Sequence, residues 1–301
     1  MPPASPQKLP ITVLLAVKNE AVNLPKCLAS LKRAKSVVVL DSQSVDGTVA
    51  IARRWGAKVV QFHYKGGYPK KRQWALDHLK INTPWIFLID ADEEVPEELW
   101  REIEEVVLKE TAFSAFLIVK QVYFLGRKLT FGGFSFGAVL LVRKGKAQFE
   151  KIIEEPAGTM DMEVHERVIV DGEVGKLKTP LIHDDYKDLG AWIDRHNKYS
   201  TWEARVRKQF FDTGRYGQES IQPRLFGNTQ ERRRFLKKML VRMPFEPFIW
   251  FFYNYVIKLG FLEGRPGWTL CRMRAQHVFQ IRAKLHELNK ASRRSPATRV
   301  Q

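Results

Sequence analysis

The chain has 301 residues, 45% of them hydrophobic, and a formal net charge of +17. Such a length suits one large domain, or one domain with an appendage, around a real core. Two distant cysteines, Cys27 and Cys271, exclude a disulfide framework and a cysteine-held metal, and fit a reducing compartment.

The Pro-rich start, Met1 to Pro10, has no apolar core, so no signal peptide is expected. The longest apolar candidate, Pro247 to Ile257, is too short to span a bilayer. From Thr201 onward there are 21 Lys/Arg and 7 Asp/Glu, so most of the positive excess lies in the last third. Such asymmetry predicts attraction to the phosphates of lipids or nucleic acid.

Ile11 to Val17 has strand length and is apolar throughout, and Lys18-Asn19-Glu20 follows it. A helical stretch carries Leu24, Cys27, Leu28 and Leu31. Ser36 to Leu40 predicts a second strand, ending at Asp41. Asp46-Gly47-Thr48 opens a helix that Gly56 ends, and Ala57 to Phe62 predicts a third strand. Pro69 to Leu79 predicts a helix and Trp85 to Ile89 a fourth strand. Alternation of this kind predicts an α/β fold with a parallel sheet and helices on both faces.

Candidate chemistry gathers where these strands end, at the edge where open α/β sheets bind ligands. Asp90 and Asp92 close the fourth strand. In extended backbone, residues i and i+2 point the same way, so both carboxylates are expected to reach one hard cation. An acidic strand-to-helix turn is the plain alternative. Asn19, Glu20, Asp41 and Asp46 fall on the same edge; turn and cap chemistry alone would explain Asp46. Lys70 and Arg72 are candidates to meet a diphosphate, or simply form a solvated basic turn. No G-x-G-x-x-G follows the first strand and no G-x-x-x-x-G-K-[ST] occurs, which argues against a dinucleotide dehydrogenase and a P-loop enzyme.

Val17-Lys18-Asn19-Glu20, the run from Val39 to Thr48, Lys71 to Leu76 and Ile89-Asp90-Ala91-Asp92 together resemble the family 2 glycosyltransferases. Gly126-Arg127, Gly132-Gly133-Phe134, Leu141 to Lys144 and Val164-His165-Glu166 follow in the order of the bacterial branch that includes the lipopolysaccharide-core β-1,4-glucosyltransferases. The similarity continues through Leu181-Ile182-His183, Asn197 to Ser200 and Tyr255 to Gly264. Arg72-Gln73 departs from the Arg-Asn often found there, and Lys151 to Asp161 looks longer than expected.

The resemblance implies a GT-A-type, mostly parallel sheet with helices on both faces, plus a helical, basic C-terminal extension. It implies inverting transfer of a sugar, by default glucose from UDP-glucose, to an acceptor hydroxyl on a lipid-linked saccharide such as a lipopolysaccharide inner core. Mg²⁺ or Mn²⁺ at Asp92, helped by Asp90, would neutralise the leaving diphosphate. Asp41 would hold the base, with Asn19, Glu20 and Asp46 near the nucleotide and Lys70 and Arg72 near the diphosphate. Glu166, after a β-like segment from Met162 to Val164, is the candidate general base; pairing with Arg167 or a lysine is the alternative. His165 would orient Glu166 or help the diphosphate, and His183 would complete the metal site.

In the last third, Asp188 to Phe210 predicts a helix with Trp192, His196, Tyr199 and Trp202 in a core stripe. Thr229 to Arg242 predicts a basic amphipathic helix, followed by aromatics from Phe245 to Tyr255. This pairing fits a segment lying in an anionic membrane interface, with solvated basic residues and packed aromatics as the alternative. A further helix is predicted from Trp268 to Leu288. The expected organisation is a disordered N-terminus (1–10), a catalytic domain (11–187), a helical region (188–289) and a disordered tail (290–301). The implied setting is cytoplasmic, peripheral on the inner face of the cytoplasmic membrane. Competing readings are a basic nucleic-acid-binding protein and a non-catalytic glycosyltransferase-like binding module. No nucleic-acid-reading signature is present, so no nucleic-acid partner is expected.

Overall fold

In the computed structural model, which describes residues 7–153, 160, 161, 163, 166–215, 222–227 and 229–294, the first apolar run forms β1 (Leu9–Val17). It lies between β2 (Ala34–Asp41) and β4 (Trp85–Asp90), with β3 (Lys58–Gln61) beyond β2, all parallel. Helices α1 (Leu24–Ser30), α2 (Thr48–Trp55) and α3 (Lys71–His78) connect them. β1 and β4 read as unbroken apolar runs because both faces are covered, whereas β3, Lys58-Val59-Val60-Gln61, is half exposed. Val13, Leu15 and Val17 join a core with Leu28 of α1, Ala52 of α2 and Leu99 and Ile103 of α4 (Glu97–Leu108). Leu14, of opposite parity, packs with Ala75 of α3 in a second cluster.

Beyond β4 the sheet is mixed. β8 (Phe136–Arg143) runs antiparallel between β4 and β6 (Phe113–Phe124). β12 (Leu181–His183) lies parallel to β6 and antiparallel to the short β5 (Glu93–Glu94). β7 (Arg127–Lys128) and β11 (Glu173–Lys176) also pair with β6. β9 (Ala147–Phe149) and β10 (Val168–Val170) form a separate antiparallel pair, packed on the second cluster.

These elements form one compact unit, to which residues 131–133 and 151–153 do not belong; those and everything from Asp188 onward form a second. In the second unit, α5 (Leu189–Thr213) begins at Asp188, whose carboxylate accepts the Ala191 N–H at 2.8 Å. α6 (Thr229–Leu240) and α7 (Glu246–Phe252) follow, and α7 continues through a wider helical turn, Tyr253–Ile257. The long α8 (Gly264–Arg294) packs on α5 and α7. Gly132 donates its N–H to Lys258 O at 2.7 Å. Gly260 permits this approach, since a Cβ there would lie 2.7 Å from Asn254 O and 3.3 Å from Gly132 Cα.

Part of each end expected to be disordered lies in a regular element. Leu9 and Pro10 already belong to β1, and the Leu9 N–H is held by Arg33 O at 2.8 Å. At the other end α8 continues to Arg294, because after Gly267 no glycine or proline occurs before Pro296. Of the segment read as β-like, Met162 to Val164, only Glu163 is described, and it lies outside any strand.

Candidate active site

The acidic motif divides at the strand end. β4 stops at Asp90, and the chain turns through Ala91-Asp92 into β5. The extended i, i+2 geometry expected for Asp90 and Asp92 is therefore absent. Asp90 pairs with the Arg72 guanidinium and, at 3.1 Å, with Lys120 Nζ. Burial alone would raise the Asp90 carboxyl, but Arg72 and Lys120 outweigh it and hold it well below the usual carboxylate range.

Asp92 instead faces His183, with Oδ1 at 3.5 Å from Nδ1. Strand pairing sets His183 opposite Glu93. Glu93 is fully buried; its Oε2 accepts the Asp90 N–H at 2.9 Å, while Oε1 pairs with Lys120 and lies 3.7 Å from His183 Nδ1. Burial would depress the imidazole, but the Asp92 and Glu93 carboxylates push it up to about 9. His183 Nδ1 is buried without a hydrogen-bond partner. Asp92, Glu93 and His183 bring three ligand atoms within 4.8 Å of one another. Two carboxylates and one imidazole are a donor set that Mn²⁺ or Mg²⁺ accepts. Asp90 is not in this group.

Sequence reasoning missed Glu93 and Lys120. Lys120 had a readable signal, since it shares the inward face of β6 with buried Ile118 and Val122. A lone lysine in that alternation requires a buried acidic partner. Glu93 looked like an ordinary acid of a helix-opening turn.

The start of α3 is not a solvated basic turn. Lys70 Nζ lies 2.5 Å from Glu166 Oε1, and both side chains are buried. Lys71 Nζ donates to Val17 O at 2.9 Å and lies 3.4 Å from Asp161 Oδ2. Glu163, also missed, caps the helix: its Oε2 accepts the Arg72 N–H and its Oε1 the Gln73 N–H, each at 3.0 Å. Burial raises the Glu163 carboxyl against these bonds. His165 lies outside the described residues. Contacts thus run from Glu166 and Lys70, through neighbouring Arg72, to Asp90, Lys120, Glu93, His183 and Asp92.

On the other side, Asp41 ends β2 fully buried. Its Oδ2 accepts from Ser44 N at 3.0 Å and from Gln61 Nε2 at 2.9 Å. Asn19 has a φ of 55° and accepts the Val45 N–H at 2.9 Å, tying the β1 loop to the β2 loop. Asp46 accepts from Thr48 N at 3.0 Å and Ala21 N at 3.1 Å, as turn and cap chemistry requires. Glu20 is bound by Lys187 Nζ at 2.6 Å and Asn23 Nδ2 at 2.9 Å, and burial raises its carboxyl despite them.

Sequence comparison relates the chain to known glycosyltransferases. Residues 12–134 match the family described as Glycosyl transferase family 2. The chain is 30% identical over 203 residues to the lipopolysaccharide core biosynthesis glycosyltransferase LpsC of Rhizobium meliloti (strain 1021), covering 65% of this chain and 71% of that one. It is 29% identical over 299 residues to an uncharacterized glycosyltransferase of Rickettsia bellii (strain RML369-C), covering 97% and 90%. Among solved structures it is similar to the mannosyltransferase PcManGT of Pyrobaculum calidifontis in complex with GDP-Man and Mn²⁺, with 15% identity, a TM-score of 0.46 and coverage of 93% and 89%. Glucosyl-3-phosphoglycerate synthase of Mycobacterium tuberculosis, in complex with Mn²⁺, UDP and glucosyl-3-phosphoglycerate, is 21% identical at a TM-score of 0.29, covering 38% and 44%. The protein is a glycosyltransferase with a GT-A-type α/β fold. More narrowly, the chain belongs to glycosyl transferase family 2.

Proposed function

We propose that the protein transfers a sugar, with inversion, from a nucleoside diphosphate donor to a hydroxyl of a lipid-linked saccharide. The observation that carries this reading is the buried His183 Nδ1, without a hydrogen bond, aimed at Asp92 and Glu93 beyond the end of β4. Those three side chains would hold the divalent ion. When bound, the ion supplies positive charge to the leaving diphosphate.

The remaining roles fall to the chain itself. Lys70 and Arg72 bring cationic donors for the diphosphate to the start of α3. Asp41 accepts a base N–H in exchange for one of its internal bonds, and Asn19, Glu20 and Asp46 hold the loops around it. Glu166 takes the acceptor's hydroxyl proton as its oxygen bonds the anomeric carbon; the bond from that carbon to the diphosphate oxygen breaks, and its electron pair leaves with the diphosphate.

UDP-glucose is the donor we favour. The similarity to LpsC, named for lipopolysaccharide core biosynthesis, supports a core-type acceptor. Nucleotide sugars and the two free cysteines suit the cytoplasmic side.

A thermal-shift screen of nucleoside diphosphate sugars with and without Mn²⁺, followed by transfer assays on Asp92→Ala, tests the reading. Stabilisation by UDP-sugars only with the ion, and no turnover by the variant, is expected. Full turnover by Asp92→Ala would remove the metal role.

A further inference from the structure

We propose that the helix face running from Phe245 to Ile257 inserts into the headgroup layer of an anionic bilayer. This helix is turned inside out relative to a soluble amphipathic helix. Phe245, Phe248, Ile249, Phe252, Val256 and Ile257 are all exposed, Phe248 at 74% and Phe245 at 66%. Their spacing of three and four residues places them on one stripe. Phe261 and Leu262, exposed on the next turn, extend the apolar surface.

The polar side chains of the same stretch point inward. Glu246, Asn254 and Glu263 are at most 4% exposed. Glu246 receives both terminal nitrogens of Arg207, at 2.6 and 3.0 Å, and Asn254 donates to Trp250 O at 2.8 Å. Glu263 accepts the Phe131 N–H at 2.6 Å. The Glu246–Arg207 bonds hold the start of this helix to α5 with the phenylalanines outside. An exposed apolar patch of this extent marks an interaction surface.

Charge selects the occupant. Between Arg232 and Arg274 there are 10 Lys/Arg, and the only two acids are the buried Glu246 and Glu263. Arg242, Lys258, Arg265 and Arg272 are exposed around the apolar stripe. A second copy of this chain would present the same cations, whereas anionic lipid complements them. No helix among the described residues is long and apolar enough to cross a membrane. The apolar face therefore lies in the interface rather than through the bilayer.

Sedimentation of the full chain with vesicles tests this independently of sugar transfer. Binding is expected to vesicles containing phosphatidylglycerol and not to phosphatidylcholine alone. Phe248→Asp with Phe252→Asp should weaken partition by roughly tenfold or more, with circular dichroism and melting unchanged because both side chains are exposed. Lys258→Glu with Arg265→Glu should weaken it by about fivefold per charge removed. Three results would overturn the inference: no vesicle binding by the unaltered chain, unchanged binding by the folded aspartate variant, or a lipid-free dimer that this variant dissociates. A chain that binds vesicles yet transfers no sugar would leave it standing.

Discussion

Glu166 Oε1 lies 2.5 Å from Lys70 Nζ, with both side chains no more than 4% exposed. The group expected to take the acceptor proton is thus held by a residue expected to meet the diphosphate. A diphosphate that draws Lys70 away would break this ion pair, so donor binding is expected to alter the charge beside the candidate base.

Breaking that pair from one side removes an ion-pair partner from a buried charge. Lys70→Met should lower stability by about 3–5 kcal/mol, and Lys70→Met with Glu166→Leu should recover much of the loss. Urea denaturation of the three proteins measures this; equal stability of Lys70→Met and the parent would mean that the pair is relaxed in solution.

Glu166→Gln keeps the side-chain volume and a hydrogen-bond acceptor for Lys70. Donor affinity should stay within a few-fold, while turnover falls by about 10²–10⁴-fold. A variant with parental turnover would assign the base elsewhere, with Asp161 and Asp184 next to be tested.

His183→Ala removes the nitrogen shared by Asp92 and Glu93. Mn²⁺ affinity, followed by electron paramagnetic resonance of the free ion, should drop by at least an order of magnitude, and chelation should abolish transfer by the parent. Asp90→Asn should alter Mn²⁺ affinity less than Asp92→Asn does, because Asp90 is engaged by Arg72 and Lys120.

Acid sensitivity should arise partly in the second unit. His196 stacks on Trp192 at 3.4 Å between ring centroids, and burial pulls its pKa down to about 3. Unfolded histidine takes up its proton near 6.5 while folded His196 does not. The stability it permits is complete above that pH and is lost as pH falls toward 3, at no more than about 1.4 kcal/mol per pH unit. His196→Gln should flatten the fall in urea midpoint between pH 7 and pH 5; matching slopes would exonerate His196.

The parallel half of the sheet was legible because its central strands β1 and β4 are buried on both faces and so read as unbroken apolar runs. Beyond β4 the pattern fails. β5 has only Glu93 and Glu94, and its existence depends on β12, nearly ninety positions away. Separation in sequence likewise hid the partnership of Glu93 with Lys120 on β6, and with it the division of Asp90 from Asp92. The acidic cluster was foreseen; its division into an ion-paired member and a candidate metal-binding member was not. Aromatic density near the C-terminus was also visible, but helix phase decides each ring's place. Phe251 and Tyr255 stack at 5.2 Å, whereas Phe248 and Phe252 face outward.

His183 and Glu93 are register partners across β12 and β5. The spacing of two candidate ligands is therefore a property of strand alignment, not of loop length. Slipping β12 by one residue would set Ile182 where His183 stands and erase the site without changing a side chain. An ion bound across both strands would act as a rivet on this sheet margin, making fraying of the Leu181–His183 amides rarer as occupancy rises. Hydrogen exchange at those amides would then report metal binding even in the absence of any sugar.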